Sequence, residues 1–345
     1  HLEWLGRLGR LVGEGVAWGL TVSPSPAPKK PAVVVEPGLA VNALGQTLRL
    51  AERFELSIER PDGQGDAAPP PPANDFGDCQ PSQTGVYLAG DGMYLLTIAP
   101  AGAAEGSVPT SGLGNLAASC ATRFLVDAVK FRLVSLTGFF TNAELVGPKL
   151  RNLAAARCFG LDAAAALVTD PFGPAPAPAR LLEKLGKKLH AGEVPLATLH
   201  WTAEAGIDFV DLWSVRRRPA GPPDELVWSP ALGARAVAEA EAMMLQFQDH
   251  LDALADGPDP IEATVATAAF DYLPPAGILP LAGSPTFRGL DVGVFFQGLK
   301  ARDPIFIEGA RVEPLLRRAL HFPPIDLASG KMIWVYHVRE NAMRA

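Results

Sequence analysis

Leu2, Leu5, Leu8 and Leu11 recur every three residues, the spacing of one helix face, and Gly13 follows where such a helix stops. The pattern then shortens. Gly15 to Val22 combines β-branched residues with Trp18 and reads as a strand, and Ser23 to Pro31 is a proline-rich spacer. Val33 to Val35, Leu39 to Val41 and Gln46 to Leu50 are apolar runs separated by Pro37-Gly38 and by Asn42 to Gly45, turn signals that predict an antiparallel β-meander. Phe54 to Ile58 alternates as a half-buried strand. Asp62 to Pro81 reads as an exposed, mobile loop with Pro69 to Pro72 in polyproline form. Gly85 to Leu88 and Met93 to Ile98 bracket a Gly-Asp-Gly turn, and Arg123 to Leu136 carries two further strand-like runs.

From Thr141 the period changes. Leu145, Leu150, Leu153, Ala154, Cys158 and Leu161 form a helical stripe, with Pro148 at its start or at a kink. Pro171 to Ala179 alternates Pro and Ala as a stiff spacer. Leu196 to Trp201 and Ile207 to Trp213 alternate about a short turn and predict a hairpin. Ser229-Pro230 reads as an N-cap and first helical residue, and Ala240, Met244, Phe247, Leu251 and Leu254 step by three and four until Gly257. Ile261 to Phe270 and Val292 to Phe296 read as strands, Ile305 to Ile307 leads into a helix over Glu313 to Leu320, and Met332 to Val338 closes as a strand. The expected fold is α+β. It divides into a β-rich domain with an N-terminal helix over 1–137, a helical connector over 138–194, and an antiparallel sheet with packed helices over 195–345.

Composition supports folded domains: 345 residues at 48% hydrophobic are enough for about two cores. Gly and Pro, 34 and 33 residues, exceed average usage and point to long stiff loops. A net charge of −7 argues against broad nucleic-acid or anionic-membrane binding. The longest apolar stretches, Leu153 to Val168 and Ala268 to Gly283, are interrupted by Arg157, Asp162, Asp271, Pro274 and Pro275, so direct membrane insertion is not expected. The start lacks an uninterrupted apolar core of the kind secretory signals carry, and the first residue is His rather than Met, which leaves room for sequence upstream. Cys79, Cys120 and Cys158 have neither CxxC spacing nor neighbouring His, and read as buried free thiols in a reducing compartment.

No G-x-S-x-G elbow, P-loop or HExxH pair occurs, and Ser111 to Gly114 reads as a backbone turn. The sequence assigns no catalytic, cofactor-binding or metal-binding residue. Asp208 and Asp211, three apart on a strand, face opposite sides and read as loop or surface carboxylates. Arg216, Arg217 and Arg218 follow Trp213 and suit aromatic stacking or an ion-pair cluster within or between subunits. Tyr272, Pro274 and Pro275 open a rigid corner that fits either a docking surface or a buried turn. These seven residues, Trp213, Arg216, Arg217, Arg218, Tyr272, Pro274 and Pro275, are the candidate interface. Two alternatives stay open: a hydrolase or carbohydrate-processing enzyme using Asp208, Asp211 and Asp271, and a binding module with Trp201, Trp213 and Tyr272 as an aromatic platform.

Val33 to Gly45, Leu95 to Pro100 with Glu105-Gly106, Phe209 to Arg218, Tyr272 to Gly277, and Phe306 to Glu313 through Pro323 to Leu327 together resemble a family of uncharacterised bacterial proteins associated with phage-tail-like contractile injection clusters. The resemblance spans most of the chain. It implies a non-enzymatic structural or adaptor role, as baseplate, fibre-attachment or accessory component. The partners would be other tail-like or baseplate proteins or copies of itself, without nucleic acid, in a cytoplasmic particle.

Overall fold

The computed structural model describes residues 2–26, 32–58, 90–110, 119–161, 180–221, 234–257, 260–280 and 289–338. The fold is α+β, in two compact units: 1–136 with 190–210, and 137–189 with 211–345. The expected strand at 85–88, the loops at 62–81 and 111–114, the spacer at 171–179, the cap at Ser229-Pro230 and Cys79 lie outside the described residues.

In the first unit, α1 (Leu2–Val12) precedes three sheets. β1 (Gly15–Gly19), β4 (Gly38–Val41) and β5 (Thr47–Leu50) form one, in the order β1-β4-β5. β2 (Val22–Pro24), β3 (Ala32–Val35) and β6 (Phe54–Ser57) form another, with β3 central and all four of its residues buried. The predicted turn between β4 and β5 is held by Asn42, whose Oδ1 accepts from the backbone N–H groups of Leu44 and Gln46 at 3.1 and 2.9 Å. Gly45 (φ +79°) meets α1 there so closely that a Cβ on Gly9 would lie 2.0 Å from the Gly45 carbonyl oxygen. The helix thus packs by its glycines and leaves Leu8, Leu11 and Val12 exposed.

The third sheet has the order β10-β9-β7-β8. It comprises β7 (Gly92–Thr110), β8 (Ser119–Ser135), β9 (Val194–Thr202) and β10 (Gly206–Asp211). β8 is one continuous strand where the sequence suggested two runs, because every residue from Val126 to Ser135 finds a register partner on β7. The predicted hairpin over 196–213 forms, but β9 pairs antiparallel with β7 over Gly92 to Ile98. This corrects the expected division at 195: the hairpin completes the first unit's sheet instead of opening a separate C-terminal one. As a central strand β9 is almost wholly buried, so its residues do not alternate between core and solvent.

The second unit is mainly helical. α2 (Asn142–Leu145) starts with a capping box in which Thr141 and Glu144 satisfy each other's backbone N–H groups, and α3 (Leu150–Phe159) follows. α4 (Leu181–Leu185) and the long α5 (Ala234–Ala255) come next. Two expected strands are helical turns. Ile261 to Ala263 makes a 3₁₀ turn and α6 spans Ala266–Ala269, since local bonds such as Phe270 N to Ala266 O, at 2.8 Å, satisfy this backbone without a sheet partner. α7 (Val292–Phe295) replaces the other strand because Asp291 caps it, its carboxylate accepting from Gly293 N and Val294 N at 2.8 and 3.1 Å.

The remaining elements are β11 (Tyr272–Leu273), β12 (Ile305–Phe306), α8 (Val312–Ala319), β13 (Ile325–Asp326) and β14 (Tyr336–His337). β11 pairs antiparallel with β13, and β12 parallel with β14. The core gathers Phe247, Leu251, Phe270, Phe295, Phe296 and Ile333. No helix among the described residues is long and apolar enough to cross a membrane.

Candidate functional site

α3 and α5 each turn a polar side chain inward to Asp211, the last residue of β10, which is 1% exposed. Oδ2 accepts from Arg151 Nε and from Gln246 Nε2, both at 2.8 Å. Oδ1 accepts from the Ser214 N–H at 2.9 Å, closing a tight turn in which the Ser214 hydroxyl donates to the Asp211 carbonyl at 3.2 Å. Three donors converge on one buried carboxylate, which fixes it as an anchor rather than a free base. The expectation of a surface carboxylate at Asp211 is therefore corrected: charge compensation by Arg151 is what allows it inside.

Two titratable groups on α5 feel this centre. The Asp249 carboxyl is pushed up to about 6, chiefly by burial, with Asp211 and Asp252 adding and Arg151 opposing. The His250 imidazole is pushed down to about 3, chiefly by burial and then by the Arg151 cation. Its ring rests on Phe270 with centroids 4.6 Å apart, and its buried Nδ1 has no hydrogen-bond partner among the described residues. His250 is thus a neutral, enclosed imidazole at ordinary pH.

The candidate interface divides. Arg216 is buried and lies 5.3 Å over the Trp213 ring. The Arg217 guanidinium lies 4.5 Å over Phe159 and donates to the backbone carbonyls of Trp213, Ser214 and Arg216, while desolvation lowers it to about 10. Only Arg218 is exposed, paired with Glu241 at 3.1 Å. Arg216 and Arg217 therefore brace the turn after Asp211 instead of forming an accessible patch. Beside them the Cys158 thiol is buried and pushed up to about 12, by desolvation first, which makes it unreactive.

The corner at Tyr272 to Ile278 is held down at both ends. Asn152 Oδ1 accepts from Asp271 N and Tyr272 N at 2.9 and 3.2 Å, and its Nδ2 donates to the Tyr272 carbonyl at 3.1 Å. Gln248 likewise exchanges two bonds with the backbone of Ile278, at 2.8 and 2.9 Å. Tyr272, Pro274 and Pro275 are half-buried, which makes this a structural corner. Between α3, α5 and β11 it leaves a cleft of about 300 Å³ including its open mouth, lined by Asn152, Phe159, Met243, Gln246 and Pro274 among others. Its enclosed part has room for about one water.

The three carboxylates of the enzyme alternative each have a separate partner. Asp208 accepts from buried His200 at 3.1 Å, a bond that lowers its own proton affinity, and Lys149 pairs with Asp271 at 2.7 Å. Among the described residues no group of three His, Cys, Asp or Glu side chains is arranged to hold a metal. Of the aromatic platform, Trp201 is buried and Trp213 and Tyr272 are half-buried. The sequence reading missed Arg151, Asn152, Gln246, Asp249 and His250. A signal was present: Gln246 and His250 sit four apart beside Phe247 and Leu251 on the apolar face of α5. No protein-family model matches this chain, and comparison with curated proteins and with solved structures gave no match.

Proposed function

We propose that this protein is a non-enzymatic structural or adaptor component that works through protein–protein interfaces, in a phage-tail-like contractile injection assembly put together in the cytoplasm. The observation that carries the proposal is the crowding of large exposed apolar side chains into 305–336, where Phe306 is 77% exposed and Phe322 62% exposed. Along that stretch Ile333 is the only apolar side chain to be fully buried. Elements so poorly covered by their own chain are the mark of a surface meant to be covered by another. The polar centre at Asp211 fits the same role, since its donors and acceptors are spent on holding α3, α5 and the following turn together.

Light scattering on the purified chain, alongside gradient sedimentation of a lysate from its native cells, tests the proposal. Co-sedimentation with a megadalton particle is expected. A free monomer near 36.4 kDa in both preparations overturns it.

A further inference from the structure

The chain from Met332 to His337 runs parallel to 300–307. Ile333 N donates to Lys300 O at 2.8 Å and Arg302 N to Ile333 O at 2.9 Å, followed by Ile305 N to Val335 O at 3.0 Å and Ile307 N to His337 O at 3.1 Å. Ile333 thus exchanges both of its backbone groups with this neighbour, and Val335 and His337 accept from it through their carbonyls. The backbone groups of Trp334 and Tyr336 alternate to the opposite edge, and among the described residues no further strand joins this two-stranded sheet.

Side chains alternate in the same way. Ile333 and Val335 face the core, while Met332, Trp334 and Tyr336, 53%, 52% and 37% exposed, share the outer face. Ile305, paired with Tyr336, extends that face. The strip is flanked by cations. Arg302 lies 4.4 Å over the Trp334 ring, Lys331 precedes Met332, and Lys300 Nζ lies 3.8 Å from where a Gly330 Cβ would stand. Asp303 and Glu308 are the carboxylates of the neighbouring 300–308 segment, and Asp326 is occupied in capping Ala328 N at 2.8 Å.

We infer that this open edge takes an extended segment of a different protein as an added β-strand, the segment carrying alternating apolar residues flanked by carboxylates. The inference rests on the assembly reading above and names the mode of contact. Backbone bonds to Trp334 and Tyr336 supply the pairing, the strip of Met332, Trp334 and Tyr336 takes the apolar side chains, and Lys300, Arg302 and Lys331 take the carboxylates.

The probe is a fluorescein-labelled peptide, Glu-Glu-Val-Thr-Val-Thr-Val-Glu-Glu, titrated with the full chain and read by anisotropy. Binding at about 10–100 μM is expected. Trp334→Ala, and Arg302→Glu combined with Lys331→Glu, each weaken it at least about tenfold while circular dichroism stays unchanged, because all three side chains lie outside the core. Replacing Glu by Lys in the peptide, or methylating the amides along one edge, abolishes binding. No binding up to about 1 mM, equal binding of the Lys peptide, or indifference to Trp334→Ala or to amide methylation overturns the inference. So does a dimer in sedimentation that Trp334→Ala dissolves, since the occupant is then a second copy. A chain that travels with a particle yet ignores the peptide rejects strand addition alone, whereas a free monomer that binds the peptide rejects the particle.

Discussion

Replacing Asp249 by Asn isolates one electrostatic contribution of the buried centre. The carboxyl titrates near 6 in the folded chain against an ordinary 3.8, because burial disfavours its charge. The folded state therefore holds the proton more tightly than the unfolded one, so the contribution is fully present below 3.8 and lost as pH rises through 6. At about 1.4 kcal/mol per pH unit the ceiling is about 3 kcal/mol, and the half-exposed position reduces it to about 1–2 kcal/mol. His250 works the other way: pushed down from 6.5 to about 3, it contributes stability that is present above 6.5 and lost as pH falls toward 3. Between pH 4 and 6 the two slopes oppose, and the variant leaves that of His250 unbalanced. Urea titrations of both proteins in half-unit steps from about pH 4.5 to 8 give the difference curve. It should climb with pH and level off above about 6.5 with the Asn variant more stable by about 1–2 kcal/mol. A difference that does not vary with pH, or a variant less stable at the alkaline end, refutes this account.

Three further outcomes are expected. Asp211→Ala strands the buried Arg151 and two other donors and should lower unfolding stability by about 3–5 kcal/mol in urea, whereas Arg218→Ala on the exposed Glu241 pair should change it by less than about 1 kcal/mol. Gly9→Ala improves helix propensity by about 1 kcal/mol, yet its Cβ collides with the Gly45 carbonyl, so thermal melts should show a net loss of about 2 kcal/mol or more. With Cys79 and Cys120 replaced by Ser, Cys158 should stay unreactive to a thiol reagent until denaturant is added; prompt labelling of the native chain would show that its thiol is accessible.

The parts of the fold that could be read from sequence are those set by local chemistry. Asn42 to Gly45 was legible because one amide side chain closes that turn through its own neighbours, and the helix ending at Gly257 because its apolar positions step by three and four over six turns. Val292 to Phe296 misled, since four apolar residues suit either a strand or a helical turn, and what decides is Asp291, one residue outside the run. Asp211 misled for a different reason. Burial of a carboxylate depends on partners 60 and 35 positions away, Arg151 and Gln246, and neither separation belongs to any local period. Arg151 lies between Leu150 and Asn152 in the α3 stripe, where a long polar side chain is easily read as reaching out to solvent.

Ala32 to Val35 is apolar on both faces and Val194 to Trp201 is apolar but for Thr198 and His200, and each lies at the centre of a sheet with nearly every residue buried. Met332 to Val338 has the same character, Met-Ile-Trp-Val-Tyr-His-Val, so by composition it too reads as a strand covered on both sides. Only one side is covered: Ile333 and Val335 meet the core, while Met332, Trp334 and Tyr336 meet solvent. A strand that was simply an edge would carry polar residues on its outer face and a charge along its open side. This one carries a Met, a Trp and a Tyr on the outer face, with Lys331 preceding them and Arg302 over the Trp334 ring. Its sequence is that of an interior strand, and the layer that would make it interior is missing from the described residues of its own chain, which is why a partner segment is the occupant to test first.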